Sequence, residues 1–417
     1  MKIFGDDGFR DIFGTGLMSQ EFLDIFFSKL NIFLKKKKIK KIIIGYDTRK
    51  SYKKILKIIV NKIEDVRIEI LDKPVPTPCL SYLSIKYKKN FLIMITASHF
   101  ERNFNGFKFF YNGRKLEKNY EKKIINSQNF LKKKIQRKKN IVYSKKYFLY
   151  ENFINSKFSK INLSKKVLID FANGSAAPLA RKLNIFKNTV AINTNYNFNN
   201  INFNCGSNKF SKTVKKNSNK KYDYIFSFDG DADRVVFFKK GYGIIEAEKI
   251  AYLFALFKKN NRNNSVISTV ISNPGLKKIL RKNGFSLFKT KVGDRNVISL
   301  QEKKDSKLGF ETTGHFSFNN FMDGIYAAGV LLEIISTNEQ MILDSLKNKL
   351  EYNLYKINVS DKSKLFRVKK IIKRNNKFNN VIRKSIWEEI YRLYFFYKDK
   401  DKKKFFEFKN YLIRSLK

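Results

Sequence analysis

The chain has 417 residues, 43% of them hydrophobic, enough for two to four domains of ordinary size with buried cores. Its 87 Lys and Arg against 36 Asp and Glu leave a formal charge of +51. That alone would suggest nucleic acid, but the excess is spread over the whole chain and accompanies heavy use of Asn, Ile, Phe and Tyr. All of these have A/T-rich codons, so no specific nucleic-acid partner is expected. The two cysteines, Cys79 and Cys205, exclude a disulfide framework and fit a reducing compartment. No apolar run reaches the ~18 residues of a membrane span, and residues 1–7 lack the apolar stretch of a signal peptide. A cytoplasmic protein with no membrane partner is expected.

In chain order, residues 21–34 carry apolar side chains at helical spacing and predict a helix. Residues 41–46 (KIIIGY) predict a buried strand by their β-branched run, as do 91–96, 166–170 and 265–272. Residues 222–228 alternate apolar and polar and read as a further strand. Polar turns follow: Ala97-Ser98-His99, Ala172-Asn173-Gly174-Ser175 and Asn273-Pro274-Gly275, the last two leading into expected helices. Strand, short turn and helix in repetition argue an α/β protein with mostly parallel sheets, in which ligands gather at the carboxyl ends of strands. Lys-rich stretches at 132–146 and 239–248, and the segment 338–356, are candidate domain boundaries.

The densest chemistry lies in Asp229-Gly230-Asp231-Ala232-Asp233-Arg234. In an extended loop, side chains two apart share one face. Three converging carboxylates repel unless a hard cation such as Mg²⁺ sits between them. Arg234 adds a fixed positive charge that suits a phosphate held by both. An EF-hand needs Gly at loop position six and Glu at twelve, where this chain has Arg234 and Lys240. A solvated acidic turn is the competing reading; the chain's shortage of acids argues against it.

The chain's two histidines, His99 and His315, both sit in polar turns. Ser98 follows a buried strand, as a nucleophile on a rigid scaffold would, although a lone Ser there could equally be a helix cap. In Asn105-Gly106-Phe107-Lys108, Lys108 is a candidate acid/base or phosphate contact.

These stretches carry a resemblance. Phe4-Gly5-Asp6-Asp7-Gly8-Phe9-Arg10 is similar to an FGTDGIRG opening, Gly45-Tyr46-Asp47-Thr48-Arg49-Lys50-Ser51 to GxDTRxS, and Pro76-Thr77-Pro78 to PTP. Thr96-Ala97-Ser98-His99 resembles a phosphoserine loop, Asp229 to Arg234 the metal loop DGDADR, Val292-Gly293-Asp294-Arg295 with Val297 a VGDRYV loop, and Glu311 with Gly314-His315 an EQSGH loop. Seven matches in order over about residues 1–335 resemble the α-D-phosphohexomutase superfamily, and within it the bacterial phosphoglucosamine mutases.

The resemblance implies a four-domain architecture, three related α/β domains and a small α+β C-terminal one, expected at 1–145, 146–237, 238–340 and 341–417. It implies exchange of glucosamine 6-phosphate and glucosamine 1-phosphate through a phosphorylated Ser98 and a bisphosphorylated sugar, serving UDP-N-acetylglucosamine and cell-wall synthesis. Ser98, Asp229, Asp231 and Asp233 would hold one Mg²⁺, and a hexose 1,6-bisphosphate would act as activator. Lys108, Arg10, Arg234 and His315 would support catalysis; Glu311, Thr313, Asp294 and Arg295 would meet the sugar. The partner implied is a small sugar phosphate, and a homodimer is allowed. A phosphomannomutase/phosphoglucomutase of the same superfamily and a polyanion-binding remnant are the competing readings.

The chain departs from the pattern in places. Phe100-Glu101 replaces the Asn-Pro of SHNP, and Thr312 and Thr313 replace Gln and Ser. Arg383, Ser385 and Arg392 align with a phosphate-gripping loop like RPSGTEPxxR, but Ile386 and Trp387 stand at its Gly and Thr. The lost Gly would have let backbone N–H groups approach the phosphate, so a weaker grip is expected. A solvated helix is the other reading of this tail.

Overall fold

The computed structural model describes residues 3–127, 140–218, 221–259, 263–318, 320–374, 378–385 and 390–416. Part of the expected boundary at 132–146, and Ile386 to Glu389 of the aligned C-terminal loop, lie outside the described residues. The chain divides into two compact units: Met1–Glu246 with Thr313–Glu339, and Ala247–Thr312 with Gln340–Lys417.

The first unit opens with a sheet of β1 (Gly8–Ile12), β2 (Lys41–Tyr46), β3 (Arg67–Leu71), β4 (Phe91–Ile95), β5 (Phe104–Tyr111), β6 (Arg114–Lys115) and β7 (Ile141–Ser144). The order is β1-β5-β4-β2-β3-β7, with β6 on β5. Strands β4, β2, β3 and β7 are parallel, and β1 and β5 are antiparallel. Between them run α1 (Gln20–Lys36), α2 (Tyr52–Lys62), α3 (Thr77–Lys86) and α4 (Lys118–Ile125). Ser19 caps α1, its hydroxyl accepting from Phe22 N at 3.2 Å. Every residue of β4 is buried, which is why it reads as an uninterrupted apolar run rather than an alternation. Phenylalanine fills the space between sheet and helix. Phe9 meets Phe26 edge-on at 4.8 Å and Phe107 at a tilt at 5.2 Å between ring centroids, away from the face-to-face stacking that aromatic quadrupoles disfavour.

After α5 (Phe148–Lys157), a second sheet is formed by β8 (Val167–Asp170), β9 (Val190–Ile192), β10 (Tyr224–Phe228), β11 (Val235–Lys239) and β12 (Gly243–Ile245), with α6 (Phe210–Asn217) beside it. Its order is β12-β11-β10-β8-β9, parallel around β8 and antiparallel toward β12. The helix expected after residues 172–175 does not form. Two short 3-10 turns, Ala177–Leu179 and Asn184–Phe186, take its place. Pro178 has no N–H to continue a helix, and burial of Leu179, Leu183, Ile185 and Phe186 fixes the turns by packing.

In the second unit, α7 (Ala247–Phe257), β13 (Ser265–Thr269), α8 (Gly275–Lys282), β14 (Ser286–Thr290), α9 (Asp294–Lys303) and β15 (Leu308–Phe310) give parallel strands in the order β14-β13-β15. The first unit is completed by β16 (Phe316–Phe318), β17 (Phe321–Met322) and α10 (Gly324–Thr337). After α11 (Glu339–Lys347), the second unit ends in β18 (Tyr352–Val359), α12 (Lys362–Arg374), β19 (Asn379–Lys384), β20 (Tyr391–Lys398) and α13 (Lys402–Arg414). The sheet β18-β20-β19 is antiparallel, and Val368, Leu393, Phe395, Phe405 and Leu412 form its core. The described ends of the aligned C-terminal segment therefore lie on paired antiparallel strands, not on a solvated helix. Among the described residues no helix is long and apolar enough to cross a membrane.

Candidate active site

Two loops of the first unit meet, each at the end of a buried strand. One leaves β4 and carries Ser98, which is buried and has φ +52°. That backbone region is uncommon for any residue with a Cβ and marks an imposed conformation. Ser98 Oγ donates to Asp229 Oδ2 at 2.7 Å, and His99 Nδ1 lies 3.4 Å from Ser98 Oγ. The other loop, Asp229 to Arg234, joins β10 to β11. Gly230 is required there: a Cβ would stand 2.6 Å from Ser98 O and 2.8 Å from Asn202 Nδ2.

Asp229, Asp231 and Asp233 are fully buried and converge. One oxygen of each lies within 4.8 Å of the other two. Thr77 Oγ1 donates to Asp231 Oδ2 at 2.5 Å. Lys108 Nζ reaches Asp231 Oδ2 at 2.7 Å, Asp233 Oδ2 at 2.5 Å and Asp7 Oδ2 at 3.3 Å. Asp231 Oδ1 and Asp233 Oδ1 are buried and accept no hydrogen bond among the described residues. Buried carboxylate oxygens left unsatisfied in a converging set are the donors a hard cation takes, so the residues present fit a divalent metal.

The electrostatics divide the three acids. Burial, then the charges of Asp231 and Asp233, push the Asp229 carboxyl up to about 7. Burial would also raise Asp233, but Lys108 and His315 hold it well below the usual carboxylate range. Asp7 is held low in the same way, burial being outweighed by Lys108, Lys115 and Arg10. Burial disfavours the charged form of Lys108, yet Asp231, Asp233 and Asp7 raise it well above its ordinary value. Burial, together with Arg234 and Arg10, pushes His99 far down, so it is neutral.

His315 joins this cluster through an isolated bridge between its backbone and that of Arg234. Its Nε2 lies 3.1 Å from Arg234 Nε and 3.3 Å from Asp233 Oδ1. Its Nδ1 is 3.1 Å from Thr313 Oγ1, so the hydroxyl expected to meet a sugar touches the histidine. Arg10 lies 4.9 Å over the ring of Phe100, one of the chain's departures, and 3.8 Å from Asp7.

Six of the residues singled out belong to the second unit. Glu311 Oε1 accepts Gly293 N at 2.8 Å, bracing the turn that carries Asp294 and Arg295. Asp294 begins α9 and accepts Arg295 N at 2.6 Å. Arg383 and Arg392 face each other across β19 and β20. Ser385 N donates to Ile390 O at 2.8 Å, closing the hairpin.

Asp7, Thr77 and Asn202 are among the participants that sequence reasoning did not single out as site residues. Asp7 and Thr77 lay in quoted motifs with no role attached. Asn202 carried no signal, standing in a run crowded with asparagines.

The family description "Phosphoglucomutase/phosphomannomutase, alpha/beta/alpha domain I" matches residues 1–134, and the corresponding domain III description matches residues 246–352. A phosphoglucosamine mutase of Dictyoglomus thermophilum is 33% identical over 366 residues, 83% of this chain and 79% of the relative. One from Nautilia profundicola is 33% identical over 351 residues, 79% of this chain and 78% of the relative. Solved structures share the fold. A phosphoglucomutase/phosphomannomutase family protein of Burkholderia thailandensis superposes with a TM-score of 0.79 at 18% identity, covering 99% of this chain and 97% of that one. An Aspergillus fumigatus N-acetylphosphoglucosamine mutase, solved with GlcNAc-6P and magnesium, gives 0.66 at 14% identity, covering 99% and 95%. The motifs, the convergent acidic loop and the one-third identity over most of both lengths agree, and the chain belongs to the phosphoglucosamine mutase family.

Proposed function

We propose that the chain interconverts glucosamine 6-phosphate and glucosamine 1-phosphate. The observation that carries this reading is Ser98 Oγ at 2.7 Å from Asp229 Oδ2, inside a buried set of three carboxylates. Ser98 carries a phosphate in the working enzyme. The bond from phosphorus to Ser98 Oγ breaks while a sugar hydroxyl oxygen bonds to phosphorus, the hydroxyl's proton ending on the freed Ser98 Oγ, leaving a bisphosphorylated sugar. The sugar turns over in the site, and its other phosphate passes back to Ser98, the freed sugar oxygen regaining a proton. Mg²⁺ held by Asp229, Asp231, Asp233 and Ser98 would neutralise charge on the phosphate in transit.

The protein's own groups divide the remaining work. Lys108, held as a cation, supplies positive charge and a donor rather than a base. Arg10, Arg234 and His315 surround the phosphate with further donors. Glu311, Thr313, Asp294 and Arg295 meet the sugar, and Arg383, Ser385 and Arg392 take the phosphate that does not react. A hexose 1,6-bisphosphate primes Ser98. The four-domain division at 1–145, 146–237, 238–340 and 341–417 and a cytoplasmic location belong to the same proposal.

A coupled assay with glucosamine 6-phosphate, Mg²⁺ and glucose 1,6-bisphosphate tests it, with intact-mass detection of phosphoserine. Turnover with a Ser98 phosphate is expected. Turnover no greater than that of Ser98→Ala overturns it, and a higher kcat/KM on glucose or mannose phosphates reassigns the sugar.

A further inference from the structure

One buried carboxylate controls both sides of the Ser98 backbone. Asp47 follows β2, and both Asp47 and Arg49 are fully buried. On the amide side, Ser98 N donates to Thr96 Oγ1 at 2.8 Å, and Thr96 Oγ1 donates to Asp47 Oδ2 at 2.7 Å. On the carbonyl side, Arg49 Nε donates to that same oxygen at 3.0 Å. Arg49 Nη2 donates to Ser98 O at 2.9 Å and Phe100 O at 2.8 Å. Its Nη1 donates to Glu101 O and, at 2.9 Å, to Phe104 O.

A second donor reaches the same two carbonyls from the far side. Asn202 Nδ2 donates to Ser98 O at 2.8 Å and Phe100 O at 2.9 Å, and Asn202 N is itself tied to Ala172 O at 2.9 Å. Ser98 O and Phe100 O therefore each accept one bond from Arg49 and one from Asn202, filling both lone pairs. Because Arg49 is paired with Asp47, the arrangement brings little net charge to the serine. Its effect is geometric: the rigid guanidinium fork and the amide together fix two carbonyls that flank a residue with φ +52°.

We propose that Asp47, Arg49 and Asn202 are positioning residues for phosphoryl transfer, a clamp that holds Ser98 in its left-handed backbone conformation and aims Oγ at Asp229. The inference rests on the reading of Ser98 as the phosphate carrier. Without the clamp the serine relaxes toward negative φ and its Oγ leaves the distance and angle that transfer requires.

The test uses Asn202→Asp, which tolerates the φ of +57° that Asn202 adopts but replaces the donor with an acceptor facing two carbonyls, and Asn202→Ala as the variant without that repulsion. Ser98 phosphorylation by glucose 1,6-bisphosphate is followed in a single turnover, counted per folded molecule, beside steady-state kcat and KM. Both variants are expected to lose more than about fivefold in phosphorylation rate and kcat, with KM within about twofold. A loss of fivefold or less per folded molecule, whatever the melting temperature, overturns the clamp. If the unaltered protein takes no phosphate on Ser98, the functional reading fails and the clamp with it. If it does and the variants match it, the clamp alone fails.

Discussion

The loop around Ser98 and the hairpin carrying Arg383 and Arg392 both present polar groups, but the protein braces them differently. Around Ser98, Asp47, Arg49, Asp229, Asp231 and Asp233 are each fully buried, and backbone amides, carbonyls and side chains are joined into one network. In the hairpin, Arg383 and Arg392 are partly exposed and opposed across two antiparallel strands, where like charges disfavour each other. A group that reacts must be held to a fraction of an ångström, and buried hydrogen bonds supply that rigidity. A group that only grips a phosphate can rely on charge, which falls off slowly with distance. The first region should respond to substitution in turnover, and the second in affinity.

The largest expected effect is at Ser98 itself. Ser98→Ala should lower turnover by roughly a thousandfold or more and remove the phosphoserine mass while the fold persists. Retained turnover would move the chemistry away from this loop. Next comes Asp231→Asn, expected to cost about 100- to 1000-fold in kcat by weakening the cation site. Chelation should silence the unaltered protein and added Mg²⁺ should restore it; activity indifferent to chelator would break the comparison at its first term.

Smaller is the pH dependence set by Asp229. Its folded value, about 7, lies above that of a free carboxyl near 4. Between those values the unfolded chain has released a proton that the folded protein keeps. The stability this group contributes is thus present below about pH 4 and lost as pH rises through about 7. In metal-free protein, Asp229→Asn should therefore raise stability more at pH 8 than at pH 5, by on the order of 1–3 kcal/mol. Asp233 and Asp7 are shifted the other way, and their contribution is lost only toward acid pH. Equal gains at both pH values in a denaturation series would remove the burial and charge repulsion assigned to Asp229. The smallest effect belongs to the hairpin: Arg392→Ala should raise KM for sugar phosphate about tenfold and leave kcat within about threefold. A fall in kcat with KM unchanged would show the two regions to be less distinct than drawn.

Local chemistry was readable in advance. The run Asp229 to Arg234 announces a cation site because its acids are spaced by small residues, and β4 announces itself by being apolar throughout. Ser98 drew notice by following that strand. Asn202 could not be singled out, since nothing local separates it from the asparagines around it and its role lies in carbonyls about a hundred residues earlier. The helix expected beyond Ser175 rested on the repeat of strand, turn and helix, and it failed because Pro178 and the packing around it fix two short turns instead.

From the sequence alone come the α/β class, the family resemblance, the acidic loop and the serine turn, since periodicity and close spacing are properties of neighbours along the chain. Tertiary structure decided which oxygens Lys108 occupies, through β5 pairing with β1 and β4. It also decided that Asp229 and Asp233 shift in opposite directions, and that Ser98 is held from both sides. These outcomes depend on distances between residues remote in sequence and on the exclusion of water around them, and charge and hydrogen bonding take their strength from both.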